Sequence, residues 1–195
     1  PFFFQLNSQT GITPLMLAAS GAADETVAFL LSKRASPDLM ENNGQTALVF
    51  AIHSSCSSTI DLLAPVTQKG LGLALRNLAI FQTELTPAIK ELLIRASSDE
   101  DALISGVTEA AQMGATSMLK ILTNGWNRNT LPSIHPLAAN RQLQLALTSD
   151  NAETVQAVLA FVSDVSSENL AFALTRGRAD VVNLFGLGED ERSTE

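Results

Sequence analysis

The chain has little of several residue types that mark other classes of protein. Among its 195 residues there is no tyrosine and a single cysteine, Cys56. One cysteine excludes an intramolecular disulfide framework and suits a reducing compartment. No segment approaches the roughly 18 uninterrupted apolar residues that a membrane-spanning helix needs, and the first residues lack the basic leader of a signal peptide. We therefore expect an intracellular, most simply cytoplasmic, protein that does not insert into a membrane.

Basic residues are also scarce. The formal net charge is -8, and Lys and Arg occur in pairs such as Lys33/Arg34 and Arg176/Arg178. Because nucleic-acid binding requires clustered Lys and Arg, we expect no nucleic-acid partner. The hydrophobic fraction of 46% excludes a disordered chain. The low aromatic content suits a core of Leu, Ala, Val and Ile between closely packed helices.

Two neighbouring segments repeat each other at a fixed spacing. In the first, a helix is predicted to start at about Thr13, which is placed to cap it ahead of Pro14, and Gly21 breaks the helical run. Apolar residues recur at helical spacing on both sides of this break. Each segment therefore predicts two short antiparallel helices and a protruding turn. The matched positions, all 33 residues apart, are Gly11/Gly44, Thr13/Thr46, Leu15/Leu48, Ala18/Ala51, Val27/Ile60 and Leu30/Leu63.

The run TPLMLAA that begins at Thr13 resembles the T-P-L-H-x-A signature of ankyrin repeats, whose period is about 33 residues. The His of this motif is replaced by Met16 in the first copy and by Val49 in the second. In the family that His ties neighbouring loops together, so the resemblance leaves the rigidity of the loops open. A tetratricopeptide-type solenoid has a period of about 34, but its W-x-x-L-G-x-x-Y pattern is absent.

Beyond residue 64 the signature is degenerate, although Ala110–Gly114 and Met118–Leu122 resemble part of it in register. We predict an all-α fold, an ankyrin-type helical solenoid of about six helix-pair repeats with short β-turn or hairpin loops. Residues 126–140, which contain Pro132 and Pro136, predict a long loop. Phe2–Phe4 either cover the exposed end of the first helix pair or are a severed contact with a preceding repeat or domain. The predicted boundaries are one domain over 1–186, with repeats at about 7–39, 40–69, 70–98, 99–126, 138–164 and 165–186, and a flexible acidic tail over 187–195.

No pattern of catalytic or metal-binding residues stands out. A thiol nucleophile would need Cys56 beside His53 or His135, with Asp61 or Asp150 to orient the base, and nothing in the sequence assembles such a group. His53 and Cys56 alone do not fill a tetrahedral zinc site, and the glycines do not form a phosphate loop. We therefore expect no enzyme, no catalytic residues, no metal, no cofactor and no small-molecule substrate.

The resemblance implies a protein-binding surface, because the turns and first helices of such repeats line an extended concave face. The family's contact positions flank the loop glycine or follow the Ala-Ala pair. Their side chains are either contacts or ordinary solvated surface. His53 either stands on a ladder with Ser20 and Gln112 or is an exposed histidine at a helix end. Trp126 either pins its loop or presents an interface anchor. The predicted partner-binding residues are Gln9, Thr10, Ile12, Ser20, Asn42, Asn43, Gln45, His53, Gln112 and Trp126.

The function that these observations favour is a non-enzymatic protein–protein interaction module whose concave face binds a protein partner. The net charge favours a basic partner. One alternative is a regulatory or targeting ankyrin domain cut from a larger enzyme, channel or secreted effector, since the chain begins PFFFQ without Met. A second alternative is an enzyme with a pocket in residues 70–186 that holds Cys56 or His135 beside a carboxylate.

Overall fold

The structure is a computed structural model that describes residues 10–81, 83–124, 136–162, 165–177 and 179–185. These residues form twelve α-helices and contain no β-strand. The chain divides into two compact units, Pro1–Gly106 and Val107–Glu195, here called the first and second units. The predicted extent of one repeat domain over residues 1–186 stays a prediction. Within the part of the chain described, no helix has the length and apolar character needed to cross a membrane.

The first unit is built from helix pairs. The first helices α1, α3 and α5 pack in sequence, α1 on α3 and α3 on α5, and the second helices α2, α4 and α6 do the same. The all-α prediction is therefore confirmed, with two rows of helices in this unit. The helices are α1 (Pro14–Ser20), α2 (Asp24–Ser32), α3 (Ala47–His53), α4 (Ser57–Leu63), α5 (Leu71–Ile80), α6 (Pro87–Ala96) and the beginning of α7 (Glu100–Met113).

The start of α1 follows from its local sequence. The Met16 amide donates to Thr13 Oγ1 over 3.1 Å, and the Thr13 amide donates to Met16 Sδ over 3.3 Å. Met16 thus completes a reciprocal cap at the position where the family motif has His. Pro14 occupies the first turn, where a missing amide hydrogen leaves no bond unmade. Ala19 is fully buried, and its small side chain lets α3 approach closely.

The turns within the first two helix pairs each use a left-handed residue. Helix α1 ends at Ser20 and Gly21 follows it, where the break was predicted, but Gly21 has φ -85 and the left-handed residue is Ala22, with φ 51. Ser55 takes the same conformation between α3 and α4, with φ 53. The Ala23 amide then donates to the Ala18 carbonyl over 3.0 Å and closes the turn. Because L-residues seldom adopt this conformation, the two turns carry backbone strain.

The second unit also consists of paired helices. Helix α9 packs on α10 and α11, and the second helices α8, α10 and α12 pack in sequence. Leu143, Val158 and Phe161 are almost fully buried in its core. The helices are the end of α7, α8 (Thr116–Leu122), α9 (Pro136–Thr148), α10 (Ala152–Leu159), α11 (Ser167–Thr175) and α12 (Ala179–Leu184).

Helix α9 begins earlier than predicted. It starts at Pro136, so residues 136–140, which were predicted to end the long loop, are helical. The prediction treated Pro136 as a loop residue, although proline is equally compatible with the first turn of a helix. The preceding residues of this loop, the Phe2–Phe4 cluster and the predicted tail lie outside the described residues.

Candidate protein-interaction surface

The loop between α2 and α3 is a tight turn. The Gly44 amide donates to the Glu41 carbonyl over 2.9 Å, and the Glu41 amide donates to the Gln45 carbonyl over 3.0 Å. Gly44 has φ 79, a left-handed conformation that favours glycine. The predicted turn in this loop is thus present, and it fixes where Asn42 and Asn43 leave the backbone.

The carboxylate of Glu41 organises this turn from within. Its side chain is buried, and both of its oxygens accept hydrogen bonds. Oε1 accepts from the amides of Asn43 and Gln45 over 2.8 Å and 3.0 Å, and Oε2 accepts from Asn43 Nδ2 over 2.9 Å. Hydrogen bonds to a charged group are among the stronger ones in proteins. The carboxylate therefore holds the turn in one conformation.

Neighbouring loops of the first unit are tied together. The Asn42 amide donates to the Thr10 carbonyl over 3.3 Å. A Cβ added at Gly11, where φ is 74, would come within 3.1 Å of both the Glu41 Cα and Asn42 Oδ1. Glycine at position 11 therefore meets two requirements, a left-handed backbone and the close approach of the neighbouring loop. Despite the missing motif His, these loops are held by other contacts.

The loop between α4 and α5 is likewise tied to the loop between α2 and α3. Asp38 Oδ1 accepts from the amides of Gln68 and Lys69 over 2.6 Å and 3.0 Å. A Cβ added at Gly70 would stand 3.0 Å from Thr46 Cγ2. The segment before α1, the α2–α3 loop and the α4–α5 loop are thus each linked to the next.

The carboxyl ends of α1 and α3 carry two of the predicted contact residues. Ser20 ends α1 and His53 ends α3, and both are exposed. Ser54 Oγ donates to the Ala19 carbonyl over 3.2 Å, which links the two ends. This places Ser20 and His53 at matching ends of helices that pack together.

The imidazole of His53 lies against α5. Its Nε2 is 2.8 Å from Asn77 Oδ1, and its ring centroid is 5.4 Å from that of Phe81. Asn77 Nδ2 in turn donates to the Leu73 carbonyl over 2.7 Å. His53 therefore has a defined orientation at the surface.

The structure brings most of the predicted contact residues in the first unit onto these loops and helix ends. Thr10, Asn42 and Asn43 are exposed, and Ile12 and Gln45 are half-buried. Gln112 is exposed on α7 in the second unit. Gln9 and Trp126 lie outside the described residues, and no contact with a partner is tested for any member of the set.

Three residues of this surface were missed by sequence analysis: Glu41, Asn77 and Phe81. An acidic residue three positions before the loop glycine was a signal for Glu41, since a short turn with several free amides favours a carboxylate. Asn77 and Phe81 follow His53 by 24 and 28 positions. No local pattern reports a pairing over that separation.

Two of the residues considered for thiol chemistry, His53 and Cys56, have different hydrogen-bond partners. His53 is bonded to Asn77, whereas Cys56 Sγ lies 3.2 Å from Ser58 Oγ. Hydrogen bonds, first from Ser58 and then from Thr59, lower the pKa of the Cys56 thiol. His135 lies outside the described residues. Among those that are described, no cluster of three His, Cys, Asp or Glu side chains could hold a metal ion.

The second unit contains a shallow cleft within the region considered for an enzyme pocket. Arg176 Nη1 donates to Asp150 Oδ1 over 3.0 Å beside it, and this ion pair is largely exposed. Cys56 does not line the cleft. Its lining residues are Leu147, Asp150, Asn151, Val155, Phe172, Ala173, Arg176 and Val181.

Comparison with known proteins agrees with this all-α arrangement of helix pairs. Residues 3–71 match the family model described as ankyrin repeats in three copies. The resemblance noted at Thr13 is therefore confirmed over this part of the chain.

The fold of the chain as a whole is similar to that of the human ASB11 ankyrin repeat domain, known from a crystal structure. The match has a TM-score of 0.63 at 16% identity and covers 94% of this chain and 87% of the other. At this level of identity the likeness shows the fold. No curated protein matches the sequence.

Proposed function

We propose that this chain is a non-enzymatic protein-interaction module that binds a partner protein through one face of its first unit. We call this face the loop–helix face. Ankyrin repeats are in general protein–protein interaction modules. The loop–helix face comprises Thr10, Ile12, Ser20, Asn42, Asn43, Gln45 and His53.

The observation that carries the proposal is that this face is held in one conformation before any partner arrives. The Glu41 carboxylate fixes one loop, and the bond from Asn42 to Thr10 fixes it to the next. Ordering of loops at an interface on binding costs free energy and opposes association. A face whose loops are already ordered avoids much of this cost.

The other predicted contact residues are compatible with the proposal, but the proposal does not depend on them. Gln112 is exposed and is available to a partner that reaches the second unit. Gln9 and Trp126 remain candidates from sequence. The single cysteine supports an intracellular setting for the interaction.

Affinity capture from a cell lysate tests the proposal. We expect the double variant His53→Ala with Gln45→Ala to lose a partner that the unaltered chain retains, because truncating the few contact residues that dominate an interface costs more than about 1 kcal/mol, or roughly fivefold in affinity. The matched control is Lys90→Ala with Glu91→Ala, two exposed positions on the second helix α6.

Both double variants are first compared with the unaltered chain by circular dichroism and thermal unfolding. Equal recovery of every captured protein by the folded His53/Gln45 variant would contradict the proposal. Loss of the partner by the Lys90/Glu91 control would point instead to the second helices.

A further inference from the structure

The charge of the protein is not on the first helices that contribute to the loop–helix face. Helices α1 and α3 contain no Asp, Glu, Lys or Arg. By contrast, α2 begins with Asp24 and Glu25, and α5 carries Arg76. The net charge of -8 is therefore a poor guide to what this face binds.

Apolar side chains are exposed on the helices next to His53. Leu17 of α1 is 63% exposed, and Phe81 at the end of α5 is 46% exposed. Phe50 is half-buried at the position of α3 that matches Leu17, 33 residues later. Since α1 packs on α3 and α3 on α5, exposed apolar side chains lie on both helices that adjoin α3, and Phe81 is in contact with the His53 ring.

The hydrogen bonds of Asn77 determine the tautomer of His53. Because Asn77 Nδ2 donates to the Leu73 carbonyl, Asn77 Oδ1 is the atom that faces His53 Nε2. An amide oxygen only accepts, so Nε2 carries the hydrogen. In the neutral imidazole, Nδ1 is then an acceptor. Among the described residues no donor is bonded to it.

We propose that the loop–helix face takes an uncharged segment of a partner protein and that a Trp or Tyr of this segment packs beside His53. The apolar part of the ring covers Phe81, and its N–H or O–H donates to His53 Nδ1. Trp and Tyr combine an apolar body with one polar group, as this arrangement requires. The inference rests on the proposed function and specifies the partner's chemistry.

A random peptide library displayed on phage provides the probe. Selection against the complete chain is expected to enrich peptides that contain Trp or Tyr and few charged residues. Their affinity should change less than about twofold between low and high salt, since screening weakens only charge–charge attraction. Binding is measured by titration calorimetry with the synthetic peptides.

Two variants of His53 distinguish the contribution of Nδ1 to binding from that of Nε2. His53→Gln keeps a donor for Asn77 but lacks the acceptor at the Nδ1 position, whereas His53→Asn keeps a side-chain oxygen near Nδ1. We expect His53→Gln to weaken the selected peptides by about three- to tenfold, the usual effect of one lost hydrogen bond. His53→Asn is expected to weaken them less.

The possible outcomes test the inference about the partner's chemistry and the proposed function separately. Peptides rich in Lys and Arg, or an affinity that falls steeply with salt, would overturn the inference while leaving a binding face in place. Equal affinities for His53→Gln and the unaltered chain would overturn the role of Nδ1. Peptides that bind equally well to the His53→Ala/Gln45→Ala variant would overturn the proposed function as well.

Discussion

The two units of the molecule join successive helix pairs through the same kind of link. In the first unit, Thr59 Oγ1 on α4 donates to Asp24 Oδ1 on α2. In the second, the hydroxyls of Thr116 on α8 and Thr154 on α10 lie 2.6 Å apart. Each link joins the first residue of one second helix to the third residue of the next. Stacking of helix pairs thus retains its geometry where the sequence motif has faded.

The units differ in how their connections are held. The first unit uses the Glu41 carboxylate and the backbone bond from Asn42 to Thr10. In the second, Asn151 Nδ2 donates to the Gly114 carbonyl over 3.2 Å, and Asn140 Oδ1 accepts from the Ser166 amide over 2.9 Å. The recognisable motif accompanies rigid protruding loops, whereas helix stacking requires only capping and apolar spacing.

The largest expected effect tests whether the two cores are equally well packed. Leu48 in the first unit and Leu143 in the second are both fully buried. We expect Leu48→Ala and Leu143→Ala each to lower the free energy of unfolding by about 2–5 kcal/mol, measured with urea. The exposed Leu17→Ala is the control and should change it by less than about 0.5 kcal/mol. A Leu143→Ala effect as small as that of the control would show a loosely packed second unit.

A smaller effect is expected from Arg95, whose side chain bonds to carbonyls at the carboxyl end of α4 in the first unit. Arg95 on α6 donates from Nη2 to the carbonyls of Ala64 and Thr67 over 2.6 Å and 2.8 Å, and from Nη1 to Pro65 over 3.1 Å. Removing it leaves these carbonyls at a helix end without that donor.

We expect Arg95→Met to lower the free energy of unfolding by about 1–3 kcal/mol. The control is Lys90→Met, which alters an exposed charge on the same helix and should have little effect. Equal results for the two variants would mean that water replaces the arginine without loss.

The left-handed turns predict effects of opposite sign in the two units. Ala22 has φ 51 in the first unit, and Gly114 has φ 69 in the second. Ala22→Gly relieves strain and should raise the free energy of unfolding by up to about 1 kcal/mol, less the entropy that glycine loses on folding. Gly114→Ala should lower it by about 1–2 kcal/mol. Thermal unfolding provides the measurement, and effects of the same sign would refute this assignment of the turns.

The smallest expected effect is a difference in pH dependence between the two equivalent links, Thr59–Asp24 in the first unit and Thr116–Thr154 in the second. Hydrogen bonds from Ser58 and Thr59 lower the pKa of the Asp24 carboxyl below its ordinary value. A depressed pKa contributes stability that is present above the unfolded pKa of about 3.9 and lost as pH falls through the folded value.

Asp24→Asn should therefore reduce the dependence of unfolding free energy on pH in the acid range. Thr116→Ala should leave that dependence unchanged, because the Thr116–Thr154 link contains no titrating group. Urea unfolding at a series of acidic pH values makes the comparison. An unchanged pH dependence in Asp24→Asn would rule out this role for Asp24.

The features that sequence predicted best are those with local causes. Thr13 before Pro14 combines a cap with a first-turn proline, and α1 begins there. The same pair of residue types, Thr86 before Pro87, begins α6. Pro136 is compatible with either a loop or the first turn of a helix, so the local sequence could not decide between them.

Contacts between distant segments were not accessible from sequence. Arg95 lies 31 positions from Ala64, and Asn77 lies 24 positions from His53. Such pairs are set by the stacking of whole helices, and no spacing rule along the chain reports them. The polar identity of the loop–helix face could be predicted, but its rigidity depends on the folded position of Glu41.

Amide hydrogen exchange with and without the captured partner tests the central claim most directly. We predict added protection in residues 10–12 and 42–45 and at the carboxyl ends of α1 and α3, with α2, α4 and α6 unchanged. Protection confined to the second helices or to the second unit would contradict binding at the loop–helix face.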